Sequence, residues 1–375
     1  MAMVKLGDVA IEKRETWTGS TQGVPIVGLE HLVPGEITLS SWDSDTDNTF
    51  SKMFRKDQVL LGRRRVYLKK AVIAPFDGIC SGDITVIETI PGKISSRLLP
   101  FIIQNERFFD YAMQGSAGSL SPRVKWEHLK DYEFNLPDYE EQESLANKLW
   151  SALKLKESYH SLLLATDEMV KSRFIEIFGD LTKNTKSIPI TTIGELFEVG
   201  SSKRVFEKDW TSSGVPFYRA REIVKLAKDG FVDNELFITE SMYEEYSRKY
   251  GIPVVGDIMV TGVGTLGVCY LVREGDRFYY KDGNTICLHS LGKIDSRFVV
   301  ECYGMPFVID QIEGNANVTT VGTYTIDKAR KTRIPWPSPR LQNLFLSTVY
   351  QADKSKFELK QAIEKIDKVM RALLQ

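Results

Sequence analysis

Leu145-Ala146-Asn147-Lys148-Leu149-Trp150-Ser151-Ala152-Leu153-Lys154-Leu155-Lys156 opens a run whose inward positions are Leu145, Leu149, Ala152, Lys156, Tyr159, Leu163, Thr166 and Val170. The steps alternate four and three, an average of 3.5 residues and the period of a coiled-coil seam. Phe345, Val349, Ala352, Lys356, Leu359, Ile363, Ile366 and Met370 repeat the same steps at a constant offset of 200. Even the polar member recurs, Lys156 as Lys356. A polar residue in an apolar seam costs stability and can fix register. The spacing predicts two long amphipathic helices, over 138–178 and 338–375, that are natural partners for each other. A helix of about 40 residues spans roughly 60 Å. Paired antiparallel, the two would carry their globular units at opposite ends of a shared rod. The ordinary alternative is that each helix packs only on its own unit.

The repeat extends outward from the helices. Gly23-Val24-Pro25-Ile26 is mirrored by Gly214-Val215-Pro216-Phe217, and Lys56-Asp57-Gln58-Val59-Leu60-Leu61-Gly62 by Gly256-Asp257-Ile258-Met259-Val260-Thr261-Gly262. Gly115-Ser116-Ala117-Gly118 faces Gly314-Asn315-Ala316-Asn317, and Leu136-Pro137 faces Trp336-Pro337. The order is therefore unit, helix, unit, helix. Short alternating runs rich in Val, Ile, Tyr and Phe make the units mainly β, with a few helices such as 243–250. The fold expected is α+β: two tandem β-rich domains and two long helices forming an antiparallel coiled coil, with pseudo-twofold symmetry. The boundaries fall at 1–135, 136–180, 187–335 and 336–375. Gly179 suits a helix C-cap, and the polar run after it a linker.

The 375 residues carry a net charge of −1, so bulk electrostatics neither demand nor forbid nucleic acid. Any such site must be a local patch offset by acidic surface. No apolar run is long enough to span a membrane. The start of the chain lacks the apolar core of a signal peptide, and a cytoplasmic location is expected. The four cysteines, Cys80, Cys269, Cys287 and Cys302, have no metal spacing and read as reduced and mostly buried. His31, His128, His160 and His289 are likewise scattered, and no metal site is expected.

This pattern resembles the DNA-specificity subunit of type I restriction-modification systems. There, two target-recognition domains alternate with two conserved helical regions. The resemblance covers essentially the whole chain. Its sharpest local sign is Leu136-Pro137-Asp138-Tyr139-Glu140-Glu141-Gln142 at the approach to the first helix. Pro335-Trp336-Pro337-Ser338-Pro339-Arg340-Leu341-Gln342 keeps the prolines and the glutamine but loses the glutamates. Gly322-Thr323-Tyr324-Thr325-Ile326 is also similar to the family. The resemblance implies a non-catalytic subunit that reads a bipartite, asymmetric site on double-stranded DNA and docks two methyltransferase subunits. Restriction and translocase subunits would complete the complex. No cofactor is expected in this chain; S-adenosylmethionine would belong to the methyltransferase partners.

Within that frame the best DNA patch is Gly62-Arg63-Arg64-Arg65-Val66-Tyr67-Leu68-Lys69-Lys70, since arginine and lysine neutralise phosphates and arginine can pair with guanine. The equivalent Gly262-Val263-Gly264-Thr265-Leu266-Gly267 has no basic residue, as two domains reading different half-sites would allow. Lys203, Arg204, Arg219 and Arg221 are the basic candidates of the second unit, the last two alternating as if on one strand face. Loop residues Ser116, Ser119, Arg123 and Lys125, with Asn315, Asn317, Thr319 and Thr320, suit phosphate and base edges. A solvated charged face is the plain reading of the arginine run, simple surface pairing with Glu222 that of Arg219 and Arg221, and an ordinary surface loop that of the loop residues.

Gly262-x-Gly264-x-x-Gly267 matches the dinucleotide fingerprint, but Val268-Cys269-Tyr270-Leu271-Val272 after it reads as a strand, so a hairpin is expected. Two other functions compete with DNA reading: a non-catalytic protein scaffold with coiled-coil docking, and a nucleotide-using enzyme at those glycines.

Overall fold

Both heptad-patterned stretches fold as uninterrupted helices, Tyr139–Phe178 and Pro339–Leu373. The computed structural model describes residues 2–44, 47–116, 122–233, 235–314 and 322–374. The first helix starts because Asp138 caps it, its Oδ1 accepting from Glu141 N at 2.9 Å. The second starts at Ser338 with Pro339 in the first helical position, where a missing N–H costs nothing. The first ends at Gly179, whose φ of +77° is the left-handed conformation expected of a C-cap.

The chain divides into two compact units, Met1–Leu162 with Leu359–Gln375, and Leu163–Glu358. Each unit therefore holds one globular block and a segment of both long helices. Both blocks mix strands and short helices, as the α+β reading expects. The short helix expected over 243–250 is Glu240–Tyr250.

In the first unit an antiparallel sheet runs Ala10–Lys13, Ile84–Thr89, Val59–Gly62, Ala71–Ile73. In the second the order is Phe197–Gly200, Thr285–Ser290, Ile258–Thr261, Cys269–Leu271, also antiparallel. The registers correspond too, Val59 opposite Ile87 and Ile258 opposite Leu288. Alternation along the strands divides each sheet between two cores. Val59, Leu61 and Ile87 join Leu149 and Leu153 of the long helix, while Leu60, Val72 and Val86 face Phe54 on the other side. In the second unit Ile258, Val260 and Leu288 pack with Phe174, Phe178 and Phe345, and Met259 and Cys287 with Ile223 and Phe278.

A two-stranded ribbon closes each block, Ala2–Lys5 with Glu133–Leu136 and Ile190–Thr192 with Arg333–Pro335. The remaining sheets differ. Ile26–Val27 runs parallel to Gly78–Cys80, which takes Lys52–Phe54 on its far edge. Val215–Tyr218 runs parallel to Tyr279–Tyr280, but there Val215–Tyr218 itself takes the third strand, Phe237–Ile238.

Within the first unit Leu149 is buried, Leu145 half-buried, and Met370 packs on the same core. Lys156 reaches Asp367, Nζ to Oδ1 2.6 Å. Within the second, Val170, Phe345 and Val349 share one core, and Lys356 Nζ lies 3.0 Å from Asp167 Oδ1. Ile363 is buried, and Tyr159, Leu163, Leu359 and Ile366 are half-buried, while His160 is exposed. The glutamines at each helix start do the same work. Gln142 accepts from Ser95 N at 2.8 Å and donates to Pro137 O at 3.0 Å. Gln342 accepts from Asp295 N at 3.1 Å and donates to Pro337 O at 2.8 Å.

Candidate nucleic-acid interface

The arginine run begins where the strand Val59–Gly62 ends. A single 3₁₀ turn, Val66–Leu68, follows it, bracketed by Arg65 at φ 53° and Lys69 at φ 52°. Left-handed conformation at two non-glycine residues turns the chain sharply on both sides of Tyr67. The run is pinned to residues 122–124. Val124 N donates to Arg63 O at 3.0 Å and Arg65 N to Pro122 O at 2.8 Å, so Arg64 and Arg123 face each other across a bridge.

Arg63, Arg64, Arg65 and Arg123 are thereby gathered at one edge of the sheet. Asp83 sits among them. Arg123 donates to both its oxygens, at 2.7 and 3.3 Å, and Arg64 Nη1 lies 3.5 Å away. Arg123's hydrogen bonds foremost, and the charges of Arg123, Arg64 and Arg63 with them, hold the Asp83 carboxyl below the usual range. Arg63 turns into a cleft shared with Lys125, Trp126, Lys52 and Arg14, and its buried Nε has no partner among the described residues. Lys52, Arg14 and Trp126 were not among the residues the sequence singled out. Arg14 follows the strand Ala10–Lys13 as Ser201–Arg204 follow Phe197–Gly200, so the internal repeat held a signal for it.

Two predicted members point elsewhere. Lys69 pairs with Glu106 at 3.4 Å, and Lys70 Nζ donates to Leu29 O at 2.7 Å. Ser116 lies at the edge of the described residues, its buried Oγ without a partner among them. Ser119 falls outside them, as do Asn315, Asn317, Thr319 and Thr320.

The second unit repeats the frame without the charge. Tyr324 N donates to Gly262 O at 2.9 Å, as Val124 N does to Arg63 O. A Cβ at Gly262 would meet Tyr324 O at 2.7 Å, so this strand end admits only glycine without a shift. The glycines 262–267 form a turn between Ile258–Thr261 and Cys269–Leu271, stitched by Val268 N to Thr261 Oγ1 at 3.0 Å. No helix opens there, and the hairpin reading holds against a dinucleotide site.

Lys203 and Arg204 lie on a loop fixed by Ser202 Oγ to Tyr280 O at 2.6 Å and Lys203 N to Tyr279 Oη at 3.0 Å. Arg204 pairs with Asp282 at 2.8 Å, and Lys203 Nζ stands 5.6 Å from the centre of the Tyr250 ring.

Arg219 and Arg221 correct the strand-face expectation. The strand stops at Tyr218; Arg219 caps the helix Ala220–Asp229, and Arg221 lies inside it. Glu222, at the third helical position, reaches back to Arg219 N at 2.9 Å, which starts the helix where alternation suggested more strand. Both guanidiniums donate to the Glu222 carboxylate. Burial alone would raise that carboxyl; the two arginines outweigh it and hold it at about 2.

Asp257, Cys287 and His289 come together in the second unit, with Asp257 and Cys287 buried. Asp257 accepts from His289 Nδ1 at 2.7 Å, Val254 N at 2.9 Å and Ser290 N at 3.0 Å. In the first unit Gln58 holds the corresponding place, accepting from Arg55 N at 2.8 Å and donating to Glu88 at 3.3 Å. The same turn is thus pinned in both units with different chemistry, which is the work of a structural clasp. The hydrogen bond to Asp257 raises the His289 pKa, and burial pushes the Cys287 thiol well up.

Comparison with known proteins agrees with the resemblance read from the sequence. No protein-family model matches the chain. A Haemophilus influenzae protein provisionally named a type I restriction enzyme specificity subunit is 27% identical over 195 residues, 52% of this chain and 43% of that protein. The Escherichia coli type I restriction enzyme EcoDI specificity subunit is 24% identical over 173 residues, 45% of this chain and 35% of that protein. The matched segments thus span less than half of these relatives' length. The crystal structure of a type I restriction-modification S subunit from M. genitalium superposes with a TM-score of 0.57 at 15% identity, covering 100% of this chain and 96% of that one. A structure from work on complex assembly and conformational transition of the type I restriction-modification system gives 0.54 at 14% identity, covering 100% and 96%. The fold is similar to that of these S subunits. Among the described residues no helix is long and apolar enough to cross a membrane.

Proposed function

We propose that this chain is a DNA-reading specificity subunit of a type I restriction-modification assembly and is not itself catalytic. Each unit would read one half of a bipartite, asymmetric site on double-stranded DNA. The two long helices would pair antiparallel along their length, set the gap between half-sites, and dock two methyltransferase subunits, which would carry S-adenosylmethionine. Restriction and translocase subunits would join that complex. A cytoplasmic location goes with this reading.

The observation that carries the proposal is the reuse of one frame with different chemistry at its tip. In both units a strand end receives the same loop, at Arg63 with Val124 and at Gly262 with Tyr324. The tip is arginine-rich in one and glycine-rich in the other. The antiparallel pairing draws support from two equivalent ion pairs, Lys156 with Asp367 and Lys356 with Asp167, each member 200 residues from its counterpart.

The test is to insert one heptad into each long helix, assemble the chain with an adenine methyltransferase, and sequence the methylated sites. The half-sites should persist with a changed gap. An unchanged gap overturns the ruler, and absence of sequence-specific methylation by the unaltered chain overturns the whole reading.

The scaffold alternative draws on one feature: Arg123, Arg204, Arg219 and Arg221 are all paired with carboxylates. It predicts no salt-dependent DNA binding by the assembled complex.

A further inference from the structure

We propose that a cleft in the first unit binds one guanine base, held by Arg63 at one edge, by Glu127 at another and by the Trp126 ring on its face. The base comes from one of two sources, a nucleotide drawn out of bound DNA or a free guanine nucleotide. Only the first source rests on the DNA-reading function.

The cleft has a volume of about 380 Å³. That exceeds the roughly 150 Å³ that holds benzene and falls at the small end of ligand sites, about 300–1,000 Å³. A two-ring base fits it. Arg63 lines it with a buried Nε that has no partner among the described residues. An orphaned buried donor is costly, so this guanidinium waits for an acceptor that its own unit does not supply. Backbone bonds fix the residue that carries it, Arg63 N to Asp83 O at 2.9 Å and Val124 N to Arg63 O at 3.0 Å.

Charge decides against a phosphate. Arg14, Lys52, Arg63 and Lys125 line the cleft, but so do the carboxylates of Glu12, Glu15 and Glu127. Glu12 already holds Arg14 at 2.6 Å and Lys52 at 3.5 Å. An ionised carboxylate only accepts, and a guanidinium only donates. The ligand that suits both is neutral there, with two acceptors on one edge and donors on another. Guanine is such a base: O6 and N7 accept from an arginine fork, while N1–H and the N2 amine donate. Adenine sets its N6 amine beside N7 and would oppose the fork. Glu15 is tied to Lys13 and Arg55, both at 3.1 Å. Glu127 is the open acceptor, its side chain 64% exposed and its contact with Arg14 a loose 3.3 Å. Trp126 stands beside it in the chain, and stacking on such a ring is worth affinity whatever the base. The ring thus supplies grip, and the two charged groups supply choice.

The second unit has the frame without the site. At the 200-residue offset Arg63, Lys125 and Trp126 become Gly262, Thr325 and Ile326. The same strand end and the same docked segment stand there without them, so the three are not needed to hold the frame. A guanine stacked in a duplex has its faces covered and its N1 edge paired. A base supplied by DNA therefore enters only after leaving the stack.

Guanosine and adenosine, which carry no phosphate, are titrated calorimetrically into the full chain. Saturable one-to-one binding of guanosine is expected, with adenosine weaker by about tenfold or more. Inosine, which lacks the N2 amine, and 7-deazaguanosine, which lacks the N7 acceptor, should each lose about tenfold, and neither needs an altered protein. Arg63→Ala and Trp126→Ile, the latter copying the second unit, should each weaken guanosine about tenfold or more. The source is read from the chain assembled with an adenine methyltransferase, by sequencing the methylated sites. If DNA supplies the base, Arg63→Ala loses one G·C requirement in one half-site; if a free nucleotide supplies it, the recognised sequence is unchanged. A parent that methylates no defined sequence overturns the DNA reading and leaves the guanosine result standing. Absence of saturable guanosine binding, binding no tighter than that of adenosine, or binding indifferent to Arg63→Ala overturns the site.

Discussion

Replacing Gln142 by alanine should loosen the joint between the first block and its helix by about 2–4 kcal/mol. Gln142 is 2% exposed and Ser95, whose N–H it accepts, is fully buried. Without the amide, that N–H has no water within reach, and an orphaned buried donor costs about 1–3 kcal/mol. Pro137 O loses its donor too, but this carbonyl is half-buried and can be rehydrated, so it adds only about 0.5–1 kcal/mol. For a unit of this size each kcal/mol lowers Tm by about 2–4 °C, so the melting of the first unit should fall by roughly 5–15 °C. Gln342→Ala should cost less, about 1–2 kcal/mol. Its donor partner Asp295 is exposed, so the freed N–H finds water and only Pro337 O is stranded. Amide hydrogen exchange followed by mass spectrometry separates the two: Gln142→Ala should deprotect peptides covering 93–104, and Gln342→Ala those covering 293–304. A Gln142→Ala protein within about 0.5 kcal/mol of the parent, with unchanged exchange at Ser95, would refute the reasoning.

The basic edge, the clasp and the seam give three shorter expectations. Replacing Arg63, Arg64 and Arg65 with alanine should weaken DNA binding by the assembled complex and flatten its log–log salt dependence by about 0.9 for each phosphate no longer neutralised. Lys70→Ala, whose parent ammonium is tied to Leu29 O, should leave that slope alone in the same gel-shift titration. The raised pKa of His289 means its bond to Asp257 stabilises the second unit fully below the ordinary histidine value of about 6.5 and is lost as pH rises through the folded value. Denaturant midpoints of the second unit should therefore fall across pH 6 to 9, and His289→Gln should remove most of that slope. Lys156→Glu should destabilise the first unit by up to about 1 kcal/mol, since both members of its pair are partly exposed, and adding Asp367→Lys should restore it. A double variant no better than the single would count against the pairing.

The long helices were legible because a 3.5-residue period and a constant offset are properties of sequence alone. Lys156 and Lys356 stood out as polar seam members, and Asp167 and Asp367, also 200 apart, could have been paired with them on the same arithmetic. The hairpin at 262–267 was legible because the residues after a glycine run decide between turn and nucleotide loop. Arg219 and Arg221 were misplaced for a local reason. Alternation from Tyr218 to Arg221 crosses a strand-to-helix junction, and the Glu222 side chain that caps the helix outranks the two-residue period. Lys69 and Lys70 were grouped with the arginines by adjacency, but the left-handed Lys69 sends the chain away from them. The clasp at Asp257 was hidden because its counterpart is a glutamine: geometry was preserved while residue type changed.

That contrast separates the two kinds of residue in the duplicated unit. Gln142 and Gln342 at the helix starts make the same contacts with the same side chain, and so do Lys156 and Lys356 along the long helices. These positions are constrained by backbone groups and charges that do not differ between copies. At the strand end the constraint shared by both copies is that the following segment docks through a backbone hydrogen bond, Val124 N to Arg63 O or Tyr324 N to Gly262 O, joined in the first unit by Arg65 N to Pro122 O. A backbone bond places no demand on the side chain beyond fit, so that position is free to diverge, to arginine in one copy and glycine in the other. A frame that holds its scaffold by side chains and its tip by backbone can change what the tip recognises without repacking the core. Two tips differing this much, on frames differing this little, are what reading two unlike half-sites requires. Replacing Arg63, Arg64 and Arg65 with glycine, which keeps the buried Val66 in the core, should therefore alter DNA recognition by the first unit while leaving its melting temperature within a few degrees of the parent. A collapse of the fold on that exchange would mean the arginine run belongs to the frame after all.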